Sequence, residues 1–447
     1  MSIRIAFVSL GCDKNLVDSE VMLALLQKAG FILIPDEDQA EVLVVNTCCF
    51  IQDAKEESIE NILEMAEYKK HGNCRALIVT GCMAERYKEE ILLEIPEVDA
   101  VVGTTSYENI VEVVQEVIQG KKVQRFKPID AKLNEDNERI ISTGGYFAYL
   151  KIAEGCNNKC TYCIIPKLRG SYRSRSIESL LKEAKTLAHQ GVKELILVAQ
   201  DTTRYGCDLY GKKRLPQLLT KLCEIEGLEW IRLLYCYPEE ITDELIEVIA
   251  REKKICKYLD MPIQHANNSV LKRMGRKSNK EELIELINKM RKKIPEICLR
   301  TTLILGFPGE TKEEYDDLVD FVNRVKFDRL GVFSYSKEEG TAAAKMSGQI
   351  SNNVKESRKN NIMQIQENIC AEKSRAFIGK TLDVIIEGKL PKENIYCGRT
   401  YRDSPEIDGM VFIQTDKEIL SGEFIKVIVT KAQEYDLIGE IINEPSK

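Results

Sequence analysis

The sequence predicts an α/β chain in three parts: a doubly wound parallel sheet, a partial (β/α)6 barrel and a small all-β barrel. Three observations carry this reading. Before about residue 125, short apolar runs alternate with segments of helical period, the pattern of parallel strands joined by crossover helices. Six further strand–helix units occupy residues 146–336. Beyond Gly379 the chain turns to short strands divided by turn residues. At 447 residues it exceeds one ordinary core, and the changes of pattern divide it at 1–126, a linker at 127–144, 145–375 and 376–447.

In the first part IRIAFVSL, EVLVVN and ALIVT read as strands, followed by helical stretches at 18–30, 54–68 and 85–95. Each strand runs into a cysteine. SLGCDKN, VNTCCF and VTGCMAER place Cys12, Cys48 and Cys82 just beyond the last apolar residue. The carboxyl ends of strands in an open parallel sheet form the ligand crevice. Three thiols from three loops therefore converge on one site, dispersed in sequence and gathered by the fold. Cys49 directly follows Cys48 and Cys74 precedes its strand, so both read as small core residues.

Residues 127–144 are polar and aperiodic, which reads as a linker. The barrel strands are FAYLKIA, KELILVAQ, WIRLLYCY, YLDMPIQ, CLRTTLILGFPG and DRLGVFSYS, with helices at 179–189, 243–253, 280–293 and 312–325. In such a barrel the chemistry sits at the carboxyl ends of the strands. The octet CNNKCTYC, holding Cys156, Cys160 and Cys163, follows the first strand. A structural zinc site needs four closed ligands, and a ferredoxin run adds CxxC steps and a cysteine before proline. The octet fits neither. Three thiolates on a four-iron cluster leave one iron open to a small molecule. Fifteen cysteines scattered through a long chain point to metal and a reducing compartment, not to a disulfide framework.

A long polar helix at 352–377 leads to the terminal strands TLDVIIEG, MVFIQT, FIKVIVTKA and DLIGEII. No stretch approaches the roughly eighteen apolar residues of a membrane span. FVSLGC ends an apolar run at a cysteine, but only Arg4 precedes it and the run is too short for a signal peptide, so a cytoplasmic location is expected. The formal net charge of -7 argues against direct nucleic-acid binding. Residues 379–447 carry nine Lys or Arg against thirteen Asp or Glu, a net of -4, which favours a basic partner.

The CxxxCxxC motif directly after YFAYLKIA, with Tyr162 before the last cysteine, resembles the radical S-adenosyl-L-methionine (SAM) superfamily. The resemblance implies a [4Fe-4S] cluster at Cys156, Cys160 and Cys163 that chelates SAM and cleaves it to a 5'-deoxyadenosyl radical. It also implies SAM contacts from Tyr162, from Gln200 and Asp201 at the end of the second barrel strand, and from Gly306 in LGFPGE. Arg169, Arg173 and Arg175 either neutralise the cluster or form a solvated basic stretch.

SLGCDKNLVDSE, NTCCF, GCMAERY, YLKIAEGC, DMPIQHA, FPGET and YSKEEGTAA extend the likeness over nearly the whole chain. The layout resembles the methylthiotransferases, in the branch that modifies an aspartate of the twelfth protein of the small ribosomal subunit. This implies an OB-like TRAM domain at the end and a second [4Fe-4S] cluster at Cys12, Cys48 and Cys82 that carries sulfur. One SAM then supplies a methyl group and a second the radical that takes a hydrogen from the aspartate β-carbon. The implied partners are that basic ribosomal protein and an electron donor such as flavodoxin or ferredoxin. A branch modifying tRNA adenosine, and a non-catalytic iron–sulfur electron carrier, are the alternatives. Asp403, Glu406 and Asp408 in GRTYRDSPEIDGMVF either face basic target residues or are solvated turn acids. No general acid or base stands out; of three histidines, at 71, 189 and 265, His265 lies nearest the expected mouth.

Overall fold

The computed structural model describes residues 3–442 apart from 137 and 392, so Lys392, Glu444 and Lys447 of the charge balance lie outside the described residues. The first part runs β1 (Arg4–Ser9), α1 (Asp13–Lys28), β2 (Ile32–Leu33), β3 (Val42–Thr47), α2 (Gln52–His71), β4 (Ala76–Gly81), α3 (Cys82–Tyr87), α4 (Glu89–Glu94), β5 (Val98–Val102), α5 (Ile110–Val117) and β6 (Val123–Arg125). Its six strands are all parallel in the order β2-β1-β3-β4-β5-β6. The order reverses between β1 and β3, which opens a crevice at their carboxyl ends. Strands β3 and β4 are buried at every residue, as central strands covered on both faces must be. The sequence pattern does not announce β2 and β6, which are only two and three residues long, or β5, where Asp99 interrupts the apolar run.

The second part runs β7 (Phe147–Lys151), β8 (Ala153–Glu154), α6 (Ile165–Arg169), β9 (Arg173–Ser174), α7 (Ile177–His189), β10 (Glu194–Val198), α8 (Cys207–Tyr210), α9 (Leu215–Cys223), β11 (Trp230–Leu233), α10 (Asp243–Arg251), β12 (Ile255–Asp260), α11 (Asn268–Arg273), α12 (Lys280–Lys293), β13 (Cys298–Leu305), α13 (Lys312–Val325) and β14 (Arg329–Ser334). Six of these strands form a parallel sheet in sequence order from β7 to β14, the expected partial barrel. Alternation decides what each strand shows to the lumen. In β10, Leu195 and Leu197 pack outward into the helix-covered core, while Ile196 and Val198 point inward beside Phe147, Tyr149, Trp230 and Tyr258. Capping boxes at Asn279 with Glu282 and at Thr311 with Glu314 fix the starts of α12 and α13, the two helices whose ends the sequence pattern places to the residue.

Helix α14 (Asn352–Arg375) leads to β15 (Thr381–Lys389), β16 (Ile395–Arg399), β17 (Val411–Gln414), β18 (Phe424–Ala432) and β19 (Leu437–Ile441), a closed barrel in the order β15-β16-β17-β19-β18. Strand β16 carries Cys397 and Gly398 in place of an apolar run and escapes the sequence pattern. Among the described residues, no helix is long and apolar enough to cross a membrane.

Two expectations need correction. The described residues of 127–144 carry no helix or strand, yet the segment is not slack. Asp130 accepts the Ser171 amide at 2.7 Å, Glu135 accepts the Ser176 amide at 3.0 Å, and buried Arg139 pairs with Glu20 and Glu183, each at 2.9 Å. Its polar residues are clamps on the neighbouring domains. The second correction concerns the acidic loop after β16. Asp403 is buried against Arg329, and Asp408 accepts the Tyr258 hydroxyl at 2.7 Å and lies 3.5 Å from Arg300 Nε. Beside them, Arg399 reaches Glu194 at 2.7 Å, and Glu194 also holds Arg232 at 2.6 Å. Loop 399–409 therefore plugs the barrel lumen with counter-charges, and Asp403 and Asp408 do not face a target. Removing buried Arg399, Arg402, Asp403 and Asp408 from the tail's surface leaves its charge balance unchanged.

Apolar packing joins the same three parts. Val17 of α1, the lumen residues of the central barrel and Ile385 of β15 form one cluster, and Trp230 stands edge-on to Phe424 of β18 at 4.8 Å. Asp403→Ala leaves the Arg329 guanidinium buried without its carboxylate and is expected to cost about 3–5 kcal/mol. Urea unfolding followed by the fluorescence of Trp230, the single tryptophan, measures this; an unchanged midpoint would show the pair to be dispensable.

Candidate active site

The crevice of the first sheet holds Cys12 at the head of α1, Cys48 directly after β3 and Cys82 as the first residue of α3. Glycines make room for this convergence. At Gly11 (φ +90°) a Cβ would stand 2.6 Å from Cys48 Cβ, and at Gly81 (φ +93°) it would strike the Asn46 side chain and the Thr47 backbone. Asn15 ties the loops, donating to Leu10 O at 3.1 Å and Thr47 O at 2.9 Å while its carbonyl faces Cys82 Sγ at 3.8 Å. Ser58 exchanges hydrogen bonds with the Cys48 backbone at 3.1 and 2.8 Å. Burial pushes the Cys48 thiol up to about 12, with Cys82 and Cys12 adding to the shift. Burial also raises Cys82, against the pull of Arg169. Gathered thiols that resist ionisation in one another's presence are a donor set suited to a cationic centre. Among the described residues no three His, Cys, Asp or Glu are gathered to hold one metal ion. Thiolates on a cluster bind different irons and need not crowd one centre.

The octet loop sits between the short antiparallel strands β8 and β9. Gly155 (φ +80°) lets the loop pass so close to Gly170 that a Cβ would stand 2.6 Å from its carbonyl, and the Cys156 amide donates to that carbonyl at 3.0 Å. The Asn158 amide points at Cys156 Sγ at 3.4 Å and the Asn158 side chain donates to Asp201 at 2.9 Å. Thr161 is held by Met274 O at 2.9 Å and Arg273 O at 2.8 Å, and Cys160 Sγ lies 3.8 Å from the Tyr237 hydroxyl. Burial raises Cys156 to about 11 and lifts Cys163 as well.

Helix α6 joins the two sites. Ile164 and Leu168 pack into the core of the first domain with Cys49, Cys82 and Met83, and Thr104 donates to Leu168 O at 2.7 Å. At the far end Arg169 is buried, donating to Asp18 at 2.6 Å, to Glu154 at 3.1 Å and to Asn15. Lys151 completes the cluster, paired with Asp18 and with Glu154 at 2.9 Å. Burial alone would raise the Glu154 carboxyl; Arg169 and Lys151 outweigh it and hold the group well below the usual range. Of the two readings of the basic stretch, the solvated one is excluded: Arg169 and Arg175 are buried, and Arg173 pairs with Asp130 at 3.2 Å. Five helical residues at ~1.5 Å each make α6 ~7.5 Å long, with Cys163 just before it and Arg169, beside Cys82 and Cys12, at its end.

The residues expected near SAM fall into two groups. Tyr162 packs against Val270, Met274, Phe307, Tyr335 and Ala343, and Gly306 (φ +70°) tucks under the Lys355 side chain, its amide donating to Glu310 at 2.9 Å. Gln200 donates to Glu154 at 2.6 Å and leaves Oε1 buried without a partner. Asp201 is buried and accepts from Asn158 at 2.9 Å and from Thr203 at 2.6 Å, so it positions the octet loop. Residues not singled out in the sequence also reach this region. Arg276 is buried over the Tyr237 ring at 4.4 Å with Nε and Nη1 unpartnered, and Gln264 (φ +71°) leaves Oε1 unpartnered. A cavity of about 290 Å³ lies beside them, lined by Asn158, Cys160, Tyr237, Glu239 and Gly275 among others. For Gln264 the available signal was its place just beyond the carboxyl end of β12; Arg276 lies after α11, where no strand end marks it.

Comparison with known proteins follows this geometry. Residues 4–103 match a family model described as an uncharacterised protein family, UPF0004, residues 150–322 the radical SAM superfamily and residues 378–442 the TRAM domain. A ribosomal protein uS12 methylthiotransferase RimO of Lachnoclostridium phytofermentans is 60% identical over 98% of this chain and 99% of its own. Counterparts with the same name in Clostridioides difficile and Clostridium botulinum are 52% and 55% identical, over 99% and 100% of this chain and 99% of their own lengths. The chain belongs to the RimO family. Among solved structures, the radical SAM methyltransferase TsrM of Kitasatospora setae, with cobalamin and a [4Fe-4S] cluster bound, shares the fold at a TM-score of 0.57 and 13% identity, covering 89% of this chain and 81% of that one.

In this RimO family member His265 is not at an open mouth. It is buried, Nδ1 accepts the Asn267 amide at 3.0 Å and Nε2 lies 3.8 Å from Glu310. Burial lowers its pKa from 6.5 to about 3. The unfolded chain therefore takes up a proton below about pH 6.5 that the folded chain refuses, and stability falls as pH drops from there toward 3. His265→Gln is expected to flatten that slope by up to about 1.4 kcal/mol per pH unit, measured by urea unfolding at a series of pH values between these limits.

Proposed function

We propose that this chain is a ribosomal protein uS12 methylthiotransferase that places a methylthio group on the β-carbon of an aspartate, using SAM and two [4Fe-4S] clusters. The observation that carries the reading is the pair of cysteine triplets, Cys12, Cys48, Cys82 and Cys156, Cys160, Cys163, at the two ends of α6. Each triplet leaves one iron of a four-iron cluster without a protein ligand. Relatives at 52–60% identity carry this name, and none of those described above is named for tRNA.

When bound, the clusters and SAM supply the electron, the hydrogen-abstracting radical, the sulfur and the methyl group. The chain's own residues bind and orient. Cys156, Cys160 and Cys163 hold one cluster, with Asn158 and Asp201 fixing their loop. Cys12, Cys48 and Cys82 hold the other, with Asn15 and Arg169 beside the thiolates. Gln200 offers its unpartnered Oε1 to the SAM amino group, which donates; Tyr162 and Gly306 bound the same side of the site. Arg276 offers two unpartnered N–H groups to a carboxylate. A target C–H bond has no acidity that a side chain can exploit, which accounts for a site without a general base. The surroundings that suit these steps are the cytoplasm, with a flavodoxin or ferredoxin as donor.

Reconstituted enzyme is expected to contain iron for two four-iron clusters, to fall to one when Cys12, Cys48 and Cys82 are changed to Ala, and to transfer a methylthio mass to purified uS12. Iron for only one cluster in the intact chain, or a methylthio mass on tRNA alone, would overturn the proposal.

A further inference from the structure

The octet loop reaches the surface with a charge pattern opposite to that of the acidic chain around it. Segment 155–169 holds three Lys or Arg and segment 266–280 holds five, and neither contains an Asp or Glu. The fold packs these two segments together. A Cβ at Gly275 would stand 2.7 Å from Lys159 O, the Gly275 amide donates to Lys272 O at 3.1 Å, and the Thr161 amide donates to Met274 O at 2.9 Å. Part of the charge is neutralised inside, where Arg276 pairs with Glu239 at 3.2 Å and Arg273 with Glu314 at 2.7 Å. Lys159, Lys272 and Lys277 remain exposed. Among the described residues, only Lys277 of these three approaches a carboxylate, that of Glu240 at 4.0 Å, which Lys213 and Arg204 already hold at 2.8 and 3.4 Å. Five cations thus share one carboxylate. They surround a cysteine of the octet: Lys159 is bonded to Cys160, itself 9% exposed, and Lys159, Cys160, Gly275 and Lys277 line the same 290 Å³ cavity.

We infer that this surface docks the protein that reduces the octet cluster, a one-electron carrier with an acidic face. The inference rests on the reading of the octet as a [4Fe-4S] site. One electron leaves the reduced carrier and enters that cluster; no bond is made or broken, and the carrier departs oxidised by one electron. A carrier must leave after each transfer, so its encounter is small and steered by charge. The surface fits that demand. The exposed large apolar side chains include none from segments 155–169, 236–240 or 266–280, so the patch offers charge without the apolar anchors of a lasting complex. Phosphate of a nucleic acid is the other anion a basic patch attracts. Such binding spreads over many cations, whereas here the chain as a whole is at -7 and the patch is confined to the surroundings of one loop.

Rapid mixing of the reconstituted holoenzyme with fully reduced flavodoxin, in the absence of SAM and uS12, tests this through the paramagnetic signal of the reduced cluster. Lys159→Glu and Lys272→Glu together are expected to slow the second-order reduction roughly tenfold or more at low salt. Added salt should slow the unaltered holoenzyme and change the double variant little. Methylthiolation driven by excess dithionite should be the same in both, which separates docking from catalysis. Iron content confirms that the clusters are held, and if Lys159→Glu loses iron, Lys272→Glu, outside the octet, carries the test with a smaller effect of the same sign. An unchanged flavodoxin rate in iron-replete variants overturns the inference alone. So does a dithionite-driven activity that falls as far as the flavodoxin rate, since the patch would then serve the target or its RNA. Iron content unaltered by Cys156→Ala, Cys160→Ala and Cys163→Ala together overturns the reading of the octet and the inference with it.

Discussion

One buried guanidinium, Arg169, constrains the arrangement of everything around it. It touches Asp18 and Asn15 of the first domain and Glu154 of the second, and it sits beside Cys82 and Cys12 while closing the helix that begins after Cys163. Two carboxylates and one lysine balance it, so the cluster is charge-compensated and hydrogen-bonded, the condition under which burying ions is tolerable. With Arg169 in place, the two domains have little freedom to rotate, and the two thiol sites keep a fixed separation. For a reaction that needs both sites on one target carbon, fixed separation is the requirement the protein can meet.

The lumen follows the same logic with the third domain as counter-ion. Strands β10, β11, β13 and β14 point Glu194, Arg232, Arg300 and Arg329 inward, where an apolar barrel would have placed aliphatic side chains. Loop 399–409 supplies the opposite charges and fills the volume. From it a chain of contacts continues upward: Asp408 to Arg300, Arg300 to Asp260 at 2.8 Å, Asp260 to the Tyr235 amide at 3.1 Å, and the Tyr235 hydroxyl to Asp13 at 3.1 Å. Tyr235 holds a positive φ to make this reach, and Lys14 stacks over its ring at 3.3 Å. The C-terminal domain and the loop of Cys12 are thus two ends of one connected polar network.

Strand–helix alternation, the six barrel units, the octet and the three cysteines at strand ends were all legible in the sequence, because each depends on local period or on a spacing short enough to see. The boundaries of α12 and α13 were legible too, since capping boxes are local. What escaped depends on distant partners. Asp403 and Asp408 looked like turn acids because nothing local marks them as partners of arginines more than seventy residues away. The segment 127–144 read simply as a linker because the partners of its polar residues, Glu20, Ser171 and Glu183, lie elsewhere in the chain. Asp201 was placed at the correct strand end, but its burial and its hydrogen bonds to Asn158 and Thr203 emerge only when the octet loop folds over it.

The plugged lumen bears on how such enzymes diversify. A terminal barrel is the obvious unit to exchange when a lineage changes its target, but here the unit is wired into the catalytic domain. A chimera carrying another terminal barrel would leave Arg329 and Arg300 without the carboxylates of Asp403 and Asp408. Glu194, Arg232, Arg300 and Arg329 must therefore be inherited together with loop 399–409.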